Sequence, residues 1–361
     1  MNAKLIAIAA VAIVVVAGGA GAFVLLNQEE EDTTLYDDKG NEITIDLPIE
    51  GVCTSNPYFA IDMKILGLQD YIKGATYSGV MFKNNAYVKS AYTGLPDVGS
   101  ESTPDAAAIL QTGYPYFVST ANAIDVSNGD VLAEQGITVL YIDGFGQNLP
   151  NDLKVIKKIF GVEDKQSVKD FEKFYDDTLD MIKEKVSDLK LSKDFNFIIP
   201  TIYRGTNYYA GGYSSPVKMM KDVSDKAQDV AITLTDNKSE TVEISADLLQ
   251  SKLDTLDYMF VLGSVHNPYI SGAAAQWYAD VNKIGTWLPS LQDSDLYKSG
   301  HVYWFDYNLF YCLFDIVGYM AMAEMLGATF EQNSLQLANS LIAQHFPNAS
   351  QYTTVGGQLT L

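Results

Sequence analysis

Basic side chains are scarce in this sequence. Its 361 residues hold 24 Lys+Arg against 45 Asp+Glu, a formal net charge of −21, and Arg204 is the only arginine. Phosphate backbones are gripped by clustered positive charge, so a nucleic-acid-binding role is excluded. Cysteine is nearly absent. Cys53 and Cys312 are too few for a disulfide scaffold and stand in no zinc-ligand spacing. With three histidines, His266, His301 and His345, no protein-built metal site is expected. The chain carries no Gly-rich phosphate loop, no His-Glu-x-x-His and no Gly-x-Ser-x-Gly elbow. The carboxylates follow no paired pattern, so no catalytic residue is nominated; the expectation is a binding protein rather than an enzyme, without an intrinsic cofactor. Apolar residues, by contrast, make up 47%, enough for a large packed core.

Leu5 to Leu26 contains no charged or strongly polar residue. As a helix rising ~1.5 Å per residue, that run is long enough to span a bilayer core. Lys4 precedes it and Glu29, Glu30, Glu31 and Asp32 follow, so the rest of the chain is expected outside the membrane. Two readings stand: an uncleaved anchor, and a secretory signal cleaved at Ala20-Gly21-Ala22, which would leave a secreted protein. The apolar run continues through Phe23-Val24-Leu25-Leu26, which favours the anchor. Outside the cell a disulfide is permitted, but Cys53 and Cys312 lie in separate apolar contexts, and buried free thiols are the expectation.

Residues 1–34 are thus anchor and polar stalk. Beyond them, short apolar runs alternate with helical patterns. Strands are expected at 51–54, 72–76, 116–119 and 137–142, with helices at 60–66, from Thr103-Pro104 to Leu110, and near 131–134. From Gln166 to Lys190 there is neither Gly nor Pro, and Val168, Phe171, Phe174, Ile182, Val186 and Leu189 recur at mostly three- and four-residue steps. That is one face of a long helix. The α/β pattern then resumes, with strands at 195–199, 258–262 and 302–305, a helix capped by Ser245, and an apolar helix over 313–326. The fold class is α/β. Two lobes, 35–164 and 193–330, each hold a mostly parallel sheet flanked by helices, joined by a connecting helix in 165–192 and followed by a tail, 331–361. Ligands of such sheets sit at the strands' carboxyl ends.

Arg204 falls in such a place, in the Gly- and Tyr-rich stretch Ile202 to Tyr213 that follows a strand. Its flat fork of donors suits carboxylate or catecholate oxygens, and Tyr203, Tyr208, Tyr209 and Tyr213 can stack on a flat ligand. The alternative is a surface loop with an ordinary salt bridge. Tyr58 and Phe59 follow the first strand and face the cleft from the other lobe, or else form a staple at the helix start. Tyr77 and Tyr87 crowd the next loop. His266 follows a strand of the second lobe as a ligand contact or a hydrogen-bonded loop histidine, and Trp304 is core or cleft rim.

Several segments resemble one family. Leu35 to Ile45, containing Tyr36-Asp37-Asp38-Lys39-Gly40-Asn41, is similar to the opening hairpin of the iron-complex and cobalamin substrate-binding proteins of ABC transporters. Pro96-Asp97-Val98-Gly99-Ser100 with Pro104 to Leu110 resembles a second segment of that family. Gly136-Ile137-Thr138-Val139 and Gly300-His301-Val302-Tyr303 resemble two of its strands. The resemblance runs over roughly 35–330. It implies a monomer that captures a metal chelate (iron–siderophore, haem or corrinoid-like) between its lobes and delivers it to a permease and its ATPase. It also implies one docking acid on each lobe. Asp247 occupies that position in the second lobe, but Ala107 stands where the first acid is expected, leaving Glu101 or Asp105 as substitutes. A surface-tethered binding, adhesion or sensing protein uncoupled from transport is the alternative.

Overall fold

The computed structural model describes residues 34–77, 85–120, 126–144, 149–191, 193–203, 207–211, 215–234, 241–263, 281–310 and 312–361. The apolar segment 5–26 therefore lies outside the described residues, among which no helix is long and apolar enough to cross a membrane.

The first half is a four-stranded parallel sheet in the order β2-β1-β3-β4, formed by β1 (Val52–Thr54), β2 (Ile72–Ala75), β3 (Tyr116–Ser119) and β4 (Thr138–Tyr141). Parallel neighbours cannot be joined by tight turns. The connections accordingly carry α1 (Pro57–Ile65), α2 (Ala86–Ala91), α3 (Ala106–Gln111) and α4 (Val126–Glu134). The start expected at Thr103-Pro104 is displaced: Asp105 is the N-cap of α3, accepting from Ala108 N at 3.1 Å. Pro104 is held instead in a bridge with Gly99. α5 (Leu149–Phe160) buries Leu149, Val155, Ile156, Ile159 and Phe160 along one side.

The expected long helix is α6 (Gln166–Asp188), which buries Val168, Phe171, Ile182 and Val186. Its start is tied to the first half by Ser167 Oγ donating to the Leu66 carbonyl at 2.7 Å and by a 2.5 Å Lys157–Glu172 ion pair. Farther along, the Tyr175 hydroxyl donates to Asp315 of the second half at 2.8 Å.

The second sheet contains β5 (Phe195–Ile198), β6 (Pro200–Tyr203), β7 (Asn207–Gly211), β8 (Ala227–Asp229), β9 (Thr241–Glu243), β10 (Tyr258–Gly263), β11 (Val302–Asp306) and β12 (Gly356–Gln358). β10 runs parallel to β11 and pairs first with β5 and then with β6, which are two halves of one line broken at Ile199. Two expectations are corrected here. The tyrosine-rich stretch is not simply a loop: β6 and β7 form an antiparallel pair that places Ile202 opposite Tyr208 and Thr201 opposite Tyr209. Nor is 331–361 a tail. Past α7 (Ser215–Val223), α8 (Ala246–Gln250) and α9 (Asp315–Met325), it forms α10 (Ser334–His345) and the edge strand β12, antiparallel to β11. Asn333 and Gln336 close a capping box at its start, and Leu337, Leu341, Ile342 and Phe346 enter the main core. That core runs through both halves, from Val52 and Phe59 to Phe260 and Phe314. Cys53 and Cys312 are both free and buried.

Candidate functional site

The carboxyl ends of β1 and β4 are joined by one side chain, Asn56. Its Oδ1 accepts from Tyr58 N and Phe59 N, capping α1, with Pro57 supplying the first helical position. Its Nδ2 donates to the carbonyls of Ile142 at 2.6 Å and Asp143 at 2.9 Å. Beside it Ser55 Oγ donates to Ser119 Oγ at 3.1 Å, and Thr54 Oγ1 to the Val118 carbonyl at 3.0 Å. The turn carrying Tyr58 is thus fixed to three strand ends, and Tyr58 is left half-buried at the edge. The Asn-Pro pair signals the cap in the sequence. Nothing in the sequence signals the reach to β4.

The nominated aromatic residues separate into different environments. Phe59 is fully buried in the main core. So is Tyr87, whose ring packs edge-on against Phe346 at 5.1 Å and tilted against Phe314 at 5.8 Å. Side chains so enclosed present no surface to a ligand in this conformation. Tyr77 is half-exposed, and its hydroxyl donates to the Tyr92 carbonyl. Trp304 belongs to the second core, with Leu249, Trp287 and Leu359. Tyr203 ends β6, while Tyr208 and Tyr209 lie in β7. Arg204 and His266 lie outside the described residues.

The three docking candidates are on the surface. Asp247 is exposed in the first turn of α8 (Ala246–Gln250), where a carboxylate is also favoured by the helix dipole. Asp105 is exposed and occupied as the cap of α3, and Glu101 is half-buried. Ala107 is exposed beside them in a depression of about 310 Å³ whose other walls include Pro104, Val131 and Gln135.

A set of carboxyls escaped sequence reasoning because its members come from distant parts of the chain. Asp38 accepts from Asp143 N at 2.5 Å and is hydrogen-bonded to Asp152. Asp152 accepts from Gly144 N at 2.8 Å. Burial, then the neighbouring Asp38, pushes Asp152 up to about 10, and burial raises Asp38. Asp62 is fully buried, and burial lifts it well above the usual carboxylate range; Asp315 is pushed up to about 8 by the same cause. Among the described residues no group of three or more His, Cys, Asp or Glu is arranged to hold a metal ion.

No family model matches this sequence, and no curated protein matches it either. Solved structures do. A TroA-like periplasmic binding protein, FepB, from Veillonella parvula superimposes with a TM-score of 0.64 at 13% identity, covering 91% of this chain and 99% of its own. The triscatecholate siderophore binding protein FeuA of Bacillus subtilis, solved with ferri-bacillibactin, gives 0.60 at 18% identity over 84% and 99%. A periplasmic heme binding protein from Pseudomonas aeruginosa gives 0.57 at 15% identity over 87% and 99%. This chain has the fold of these periplasmic binding proteins, as the segments of residues 35–330 imply.

Proposed function

We propose that this protein is the extracytoplasmic receptor of an ABC importer, and that it captures an iron chelate, a siderophore complex or haem, at the facing strand ends of its two sheets. The observation that carries the reading is a common architecture: two sheets with parallel strands, spanned by α6, in the arrangement of solved proteins whose names state siderophore or haem binding. Tyr58 at the end of β1, and Arg204 with Tyr203, Tyr208 and Tyr209 around β6 and β7, are the proposed contacts. Asp247, with Glu101 or Asp105, is the proposed docking set for the permease, and the N-terminal apolar segment the proposed tether.

Native mass spectrometry and metal analysis of residues 33–361, purified from the protein's own host, test this directly. A co-purifying iron chelate is expected. Failure to bind ferric siderophores and haem at micromolar concentration would sink the reading. The exposed Ala107 supports a second reading, a surface-tethered binder uncoupled from transport. The two divide on reconstitution with the permease and ATPase, where ligand-loaded protein should stimulate ATP hydrolysis only under the first.

A further inference from the structure

Asp62 lies on α1 in the first half of the molecule, yet its hydrogen bond crosses to the second. Oδ1 accepts from Leu313 N at 2.7 Å, while Oδ2 is buried without a hydrogen-bond partner. One residue away from Leu313, Cys312 N donates to the Gly144 carbonyl at 2.7 Å, a second cross-connection at the same point. Gly144, at φ +69, brings the β4 end so close that a Cβ there would stand 3.1 Å from Asp62 Oδ2. The junction between the halves is therefore closed around a carboxyl with one satisfied oxygen.

The titratable groups coupled to this carboxyl are all acidic among the described residues. Asp315, at the start of α9, raises Asp62, and Asp62 in turn raises Asp152 of α5, Cys312 in the turn before α9 and Tyr92 at the end of α2. Behind them, Asp38 is bonded to Asp152 and Tyr175 of α6 to Asp315. A carboxylate here would be dry, half-paired and beside Asp315, an acid of its own sign of charge, which strongly favours the neutral acid.

We propose that Asp62 is a proton-held latch between the two halves: protonated, it lets α1 pack against residues 312–315, and its ionisation loosens that junction. Burial raises the pKa of Asp62, Asp152 and Asp315 alike, so the release falls on the alkaline side of the ordinary carboxylate range. The latch is independent of which ligand is carried.

Two measurements on residues 33–361 test it. Carbon-13 NMR of the Asp62 carboxyl in the wild-type protein should show a midpoint well above the usual value for Asp, about 3.9. Spin labels introduced by Gln135→Cys and Asp254→Cys, both exposed positions, should report a longer or broader inter-label distance as pH rises through that midpoint. Asp62→Asn keeps the acceptor for Leu313 N without the charge, and should hold the low-pH distance throughout. Asp315→Asn, which removes the acidic neighbour that raises Asp62, should shift the transition to lower pH without removing it. A carboxyl midpoint near 4 overturns the proposal, as does a wild-type distance that does not change through the Asp62 titration. Because both readings come from the wild-type Asp62, they decide the matter even if Asp62→Asn fails to fold.

Discussion

Gly144 shows how one residue can be required twice. Its φ of +69 is a conformation that side chains disfavour, and a Cβ added there would stand 3.0 Å from Phe59 N as well as 3.1 Å from Asp62 Oδ2. Gly94 has φ +83 but nothing within 4 Å of the same added atom. Gly94→Ala should therefore cost only the backbone strain, about 1 kcal/mol, and Gly144→Ala at least about 2 kcal/mol. Urea denaturation of both variants checks the difference; equal losses would show that crowding at the junction is unimportant. On the proposed ligand side, Arg204→Ala should weaken chelate binding roughly ten- to a hundredfold, the effect of one charge-assisted hydrogen bond worth ~1.5–3 kcal/mol. Arg204→Lys should recover little if the contact is a two-pronged fork. An unchanged dissociation constant in an intact Arg204→Ala protein would remove that segment from the site.

At the scale of elements, the C-terminal segment is an integral part of the fold. Residues 331–361 place Leu337, Leu341, Ile342 and Phe346 in the core and add β12 to the sheet. Truncating one buried Leu or Phe typically costs ~2–5 kcal/mol, and a whole domain has only ~5–15. Deleting 331–361 should consequently abolish the near-ultraviolet circular dichroism of the folded protein; a native spectrum would show the segment to be dispensable. This helix is hard to read locally, because its apolar positions are diluted by Ser, Gln and Asn. α6 was legible for the opposite reason: a long, uninterrupted heptad-like stripe over a charged face leaves no other regular structure. Being anchored to Leu66 and Glu172's partner Lys157 at one end and to Asp315 farther on, α6 resists wide hinge bending. Small-angle scattering curves with and without a bound ferric chelate should nearly superimpose, and a large compaction would contradict this.

For the molecule as a whole, the buried acids set the sign of the pH response. Asp62, Asp152, Asp315 and Asp229 all have folded values raised by burial, to about 10 for Asp152, about 8 for Asp315 and about 6 for Asp229. Between the unfolded value near 3.9 and these folded values, the native state binds more protons than the unfolded chain, so stability falls as pH rises. The melting temperature is expected to be higher at pH 5 than at pH 9. A protein more stable at pH 9 would mean that these carboxyls ionise without cost.

The sequence by itself determined the alternation of strands and helices, the connecting helix and the buried thiols, because each follows from local periodicity or from the apolar run around it. It also carried enough of the opening hairpin and the Gly-x-Val-Tyr strand to indicate the fold. Only the tertiary structure decided that Phe59 and Tyr87 are core, since an aromatic ring after a strand is sequence-compatible with either a cleft or an interior. It likewise decided that Asn56 fastens β1 to β4, and that Asp38, Asp62, Asp152 and Asp315 share one buried region. Those contacts join residues far apart in the chain, 251 positions in the case of Asp62 and Leu313. The partner of a buried polar group is chosen by how the chain closes on itself, and no local pattern encodes that choice.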